Sequence, residues 1–149
     1  MISRKRKVEA AVKAAFADYA SAVLTGVQVA TSRRVQELDS ATVQVVCNKQ
    51  SPDGTLDAYN VFVEVEGAIV CSAIITNAAP TQIESLELYA ENFLELETPA
   101  LLALINAEST DIEVLDIQPG EAEDGVDTET NRYISRYTFS ARVKDLTDT

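Results

Sequence analysis

The chain has 149 residues, the size of one domain, and 46% of them are hydrophobic, enough to bury a core without disulfide or metal support and too many for a disordered polymer. Net charge is −12, and neither His nor Trp occurs. An acidic surface repels nucleic-acid phosphates and anionic membranes, no apolar run approaches the ~20 residues that cross a bilayer, and the missing His removes the commonest general base and metal ligand together.

Residues 4–24 read as a helix. Val8, Val12, Phe16, Tyr19 and Val23 recur every three or four positions as one apolar stripe, and alanines between them raise the propensity. Thr25 and Gly26 end it. The first turn holds Arg4, Lys5, Arg6 and Lys7, where the helix dipole favours acids instead, so the cluster is expected to meet something negative. The residues after this cluster are Ala-rich and amphipathic, which does not read as a secretory signal. Residues 27–30 form a short strand, and 31–40 a loop with Arg33 and Arg34 at its centre. Residues 41–48 form a strand with Val43, Val45 and Cys47 on one face, and Ser51, Pro52, Asp53 and Gly54 form a turn.

Residues 58–76 are the longest β-like stretch, with apolar residues on odd positions on both sides of Gly67. Constant parity fits either one long bent strand or a hairpin at Gly67. Residues 77–80 are a break. Thr81 and Glu84 then have the spacing of a capping box at the start of a helix over 82–97, with Ile83, Leu86, Ala90, Phe93 and Leu94 inward. Pro99 at a first helical position restarts a short helix through Asn106. Residues 111–117 are a strand, 118–131 an acidic loop holding Glu121, Glu123, Asp124, Asp127 and Glu129. The last strand, 132–144, alternates: Tyr133, Ser135, Tyr137, Phe139, Ala141 and Val143 face one way, Arg132, Arg136, Arg142 and Lys144 the other. The order predicts an α+β fold: a mostly antiparallel sheet of about five strands with helices packed on one face.

Charge is unevenly distributed. Residues 1–49 are net +4, residues 50–131 carry eighteen acids and no cation, and residues 132–149 are net +2. An acidic middle this long repels itself, and basic ends can relieve it either within one chain or from a neighbouring copy. Glu84, Glu87, Glu91 and Glu95 stripe the exposed side of the 82–97 helix, where like charges oppose one another. The candidate subunit interface therefore pairs Arg4, Arg6, Arg33, Arg34, Arg132, Arg136 and Arg142 with this stripe. The bland alternative is that these charges face water.

Little in the sequence offers a reaction centre. GxSxG, P-loop and GxGxxG patterns are absent, and Cys47 and Cys71 lie in apolar stretches without CxxC spacing, which suits a reducing cytoplasm. The expectation is no catalytic, cofactor-binding or metal-ligating residues and no cofactor. An enzyme using carboxylates and a bound cation is the weakest rival.

The Val-rich strand at 41–48, the long strand at 59–76, the helix after a polar break at 81–97 and the final Tyr133-Ile134-Ser135-Arg136-Tyr137-Thr138-Phe139-Ser140 strand come after an amphipathic first helix and a short strand with its loop. In this order the chain resembles the tail terminator (tail completion) proteins of long-tailed bacteriophages and neck proteins of the same fold. The resemblance implies a virion protein made in the host cytoplasm and forming a ring, commonly hexameric. Such a ring caps the tail tube, meets the head connector, and lets DNA pass without specific binding. It implies the tube and connector proteins and further copies of the chain as partners. The rival readings are a head-tail neck adaptor and a non-viral acidic adaptor for a basic protein.

Overall fold

The computed structural model describes residues 3–31, 41–52, 62–75, 79–129 and 131–146. Helix α1 spans Arg4–Tyr19, and a single 3-10 turn follows at Ser21–Val23. Then come β1 (Val27–Thr31), β2 (Ala41–Pro52), β3 (Phe62–Ile74), α2 (Ala79–Leu94), α3 (Thr98–Asn106), β4 (Ile112–Asp127) and β5 (Arg132–Asp145). The strands form one sheet in the order β1-β2-β3-β5-β4. β1 runs parallel to β2, and the other three pairings are antiparallel. Among the described residues the fold is α+β, with a mostly antiparallel five-stranded sheet and three helices packed in one core against it.

The alternation seen in the sequence selects that face. Val43, Val45 and Cys47 of β2, Val63, Val65, Ile69, Cys71 and Ala73 of β3, and Phe139, Ala141 and Val143 of β5 are none of them more than 2% exposed. Against them α1 places Val8, Val12 and Phe16, α2 places Leu86, Ala90 and Phe93, and α3 places Leu101 and Ile105. Phe16 and Phe93 meet edge to face at 5.5 Å, the arrangement that ring quadrupoles favour. Each large side chain buried here stabilises the fold by about 1.5–3 kcal/mol.

Gly67 lies inside β3, which is one long strand rather than a hairpin. A Cβ at this position would sit 2.6 Å from the Val46 carbonyl oxygen, 2.9 Å from Cys47 Sγ and 3.0 Å from Phe139 Cζ. The missing side chain is what lets Phe139 cross the strand.

Several boundaries differ from the sequence reading. α1 stops at Tyr19, and Gly26, at φ 75°, turns the chain into β1 rather than ending the helix directly. α2 begins at Ala79, so Thr81 lies within its first turn instead of capping it, and the helix ends at Leu94 rather than at 97. Pro80 also falls in that first turn, where a missing N–H breaks no helical bond. The largest correction concerns 118–131: no loop begins at 118, because β4 continues to Asp127 paired with β5. β5 needs a second neighbour along its whole length, and its exposed backbone templates the acidic segment as strand. Of the expected turn at 51–54, Ser51 and Pro52 belong to β2. Asp53 and Gly54, residues 32–40 with Arg33 and Arg34, residues 58–61, and residues 76–78 of the expected break all lie outside the described residues.

Candidate interaction surface

The basic first turn of α1 meets negative charge, as expected, and meets it in its own chain. Arg4 Nε donates to Asp145 Oδ2 at 2.9 Å, and Lys7 Nζ lies 3.4 Å from Asp145 Oδ1. Asp145, at the end of β5, is only 5% exposed. Arg6 pairs with Glu9 and also donates to the Cys47 carbonyl at 3.2 Å. Glu9 is 1% exposed, and its Oε2 accepts the Cys47 backbone N–H at 2.7 Å. The β2–β3 register slips between Cys47 and Lys49. A bulge of this kind takes a backbone N–H out of the ladder, and a carboxylate from the helix above receives it. Neither Glu9 nor Asp145 was singled out in the sequence. The available signal for Glu9 was its spacing of three and seven from Val12 and Phe16, which puts a lone acid on the edge of the apolar stripe.

The face of the sheet away from the helices carries the cations of β5. In register, Arg142 lies between Glu64 of β3 and Asp116 of β4, Lys144 between Phe62 and Glu113, and Arg136 between Val70 and Glu123. Lys144 Nζ stands 5.8 Å from the centre of the Phe62 ring, and Lys49 Nζ 3.8 Å from Glu66 Oε2. Opposite charges directly across strands attract. Arg132 is not on the surface at all: it is 7% exposed, its Nε donates to Ser72 Oγ at 2.6 Å, and burial lowers its pKa.

The four glutamates of α2 line up as predicted, with Glu84, Glu91 and Glu95 exposed and Glu87 half-buried. They do not face open water alone. Between α2 and the β4–β5 ribbon runs a shallow trough in two parts. One, of about 270 Å³, is walled by Glu84 and Glu87 on one side and Asp124 on the other, with Tyr133 and Ser135 as floor. The other, of about 90 Å³, lies between Glu91 and Glu95 and the Pro119–Gly120 kink, over Tyr137. Tyr137 donates its hydroxyl toward Glu87 Oε2 at 3.5 Å, and burial, with the Glu87 charge beside it, raises its pKa. The structure thus brings the α2 stripe beside Asp124 of β4, while Arg4 and Arg6 pair with Asp145 and Glu9 and Arg136 and Arg142 pair across strands with Glu123 and Asp116.

Neither thiol is poised as a nucleophile. Burial pushes Cys47 up to about 12, helped by the neighbouring Glu9, and Cys71 to about 12, helped by Glu87. Among the described residues no three His, Cys, Asp or Glu side chains converge to hold a metal ion, and no helix is long and apolar enough to cross a membrane. No protein-family model matches the chain, and no curated protein matches it significantly.

Proposed function

We propose that this chain is a structural protein of a long-tailed phage, a ring-forming tail terminator that caps the tail tube and joins it to the head connector, with no reaction of its own. The observation that carries the reading is the acidic flank formed by α2 and β4. Glu84, Glu87, Glu91 and Glu95 line one wall of the trough and Asp124 of β4 the other, with no cation among the lining residues. A ring that passes DNA needs a surface that rejects phosphate, and such a flank turned inward supplies one. The element order also keeps the sequence of a first helix, a short strand, a Val-rich strand, a long strand, a helix and a final Arg-bearing strand on which the resemblance rests.

A second reading has one observation in its favour. Arg4, Arg6 and Lys7 are held by buried acids of the same chain, which leaves them poorly placed to meet the flank of a next copy. An acidic adaptor that covers a basic protein needs no such match. Mass photometry and negative-stain microscopy of the purified protein, alone and mixed with a phage tail-tube protein, separate the two. Closed rings seated on tube ends support the terminator. A monomer or dimer that ignores tubes at every salt concentration overturns it.

A further inference from the structure

β4 is the last strand of the sheet, so β5 bonds one of its edges, and among the described residues no strand bonds the other. The two halves of that outer edge are treated differently. At Val114 the side chain of Asn106, the last residue of α3, acts as a surrogate strand. Its Nδ2 donates to the Val114 carbonyl at 3.0 Å, and its Oδ1 accepts the Val114 N–H at 2.7 Å. The register then slips between Val114 and Asp116 and again between Pro119 and Ala122. Thr138 closes the second slip by donating its hydroxyl to the Glu121 carbonyl at 2.6 Å. Beyond it, residues 122–127 pair one for one with residues 137–132 of β5, an extended run of about 20 Å. Every residue from 118 to 126 is exposed.

We propose that residues 122–127 of β4 are a docking edge that receives an extended, Lys- or Arg-bearing segment of another protein as a sixth strand. Alternate backbone N–H and C=O groups of a regular edge strand point away from its neighbour and bond an incoming chain. Charge selects the occupant. Around the run, Glu121, Glu123, Asp124, Asp127 and Glu129 outnumber Arg132 and Arg136, which stand across from Asp127 and Glu123, so two β4 edges placed together would still oppose acid to acid. The other sheet edge, β1, is five residues long and uncharged, and a second copy offering it compensates none of these acids. An added strand lies about 4.8 Å beyond β4. Its side chains on the helix side stand over Asp124 and reach the trough walled by Glu84 and Glu87, and its alternate side chains stand beside Glu123. This inference does not rest on the ring reading, since a monomeric adaptor would carry the same edge.

The test uses the whole chain, isotope-labelled, with three probes: a peptide of about eight residues alternating Lys and Val, its analogue N-methylated at alternate residues, and one alternating Glu and Val. The Lys–Val peptide should bind and slow amide exchange in 122–127 by at least about tenfold. The N-methylated peptide should bind at least about tenfold more weakly, because it keeps the charge and loses the main-chain bonds. The Glu–Val peptide should not bind. The exposed pair Glu123→Lys with Asp124→Lys should lose the Lys–Val peptide without losing the fold. Equal binding of the N-methylated peptide, equal binding by the double variant, or protection confined to other strands overturns the proposal. So does protection of 122–127 without any peptide, which would mean that copies pair with each other. Ring formation is read separately by mass, so either result stands without the other.

Discussion

Glu9 shows what a buried charge does in this chain. It is in contact with Arg6 and receives the Cys47 N–H that the β2 bulge frees. Glu9→Ala should therefore cost about 3 kcal/mol in urea unfolding, since it leaves a buried donor and a partly buried cation without their acceptor. Gly67→Ala fails for the opposite reason, too much matter rather than too little charge. A methyl group 2.6 Å from a backbone carbonyl and 3.0 Å from Phe139 Cζ cannot fit without moving strands, and about 1–3 kcal/mol of stability should be lost by the same measurement. The thiols give a pH dependence. Both folded-state pKa values are raised from 9.0 to about 12, so the unfolded chain releases these protons first as pH rises. Stability from this source is complete below pH 9 and is lost progressively between 9 and 12. Cys47→Ala with Cys71→Ala should flatten that part of a stability–pH curve. In the parent protein at neutral pH, an aromatic disulfide reagent should react only as fast as the chain opens. The parity of Val43, Val45 and Cys47 and the inward set of α2 were legible in sequence because apolar periodicity encodes burial directly. Glu9 left only the faint trace of an acid at apolar-stripe spacing, and Asp145 left none, because its partners Arg4 and Lys7 lie at the other end of the chain.

Among the elements, β4 was the one misread, and the reason is physical. Pro119, Gly120 and Gly125, with acids between them, remove both the alternation and the propensity that mark a strand. The segment is extended because β5 bonds it, not because its own residues prefer it. Its edge is correspondingly managed by charge, proline and bulges, devices that discourage unwanted pairing. Asn106 adds a fourth. Asn106→Ala should cost about 1–2 kcal/mol by removing two bonds to Val114, and hydrogen exchange at Val114 should rise well above that of its β5-bonded neighbours. If exchange at Val114 stays unchanged in that variant, the amide is not what closes this end of the edge. The start of α2 carries the same lesson in smaller form. Thr81 and Glu84 have capping-box spacing, yet the helix begins two residues earlier, since Pro80 is as acceptable in a first turn as Thr81 is before one.

For the molecule as a whole, charge acts on two levels that respond oppositely to salt. The sheet face away from the helices neutralises itself in rows: Glu64, Arg142 and Asp116 in one, Lys49 and Glu66 in another. The α2–β4 flank has no such rows where it lines the trough, since Glu84, Glu87, Glu91, Glu95 and Asp124 stand there without a cation, and it adds to the self-repulsion of a chain of net charge −12. In the isolated chain, added salt screens that repulsion, because the Debye length falls from about 10 Å at 0.1 M to about 3 Å at 1 M. The melting temperature should accordingly rise with sodium chloride. An assembly in which cationic groups of a neighbour lie on the flank is weakened by the same screening, so its mass should fall with salt over the same range. Recording melting temperature and particle mass on one salt series tests both. Melting temperature rising while mass falls places the flank at an interface built from opposite charges. Both rising together would mean that the assembly is held by apolar surface and that the acids are only its solvated exterior.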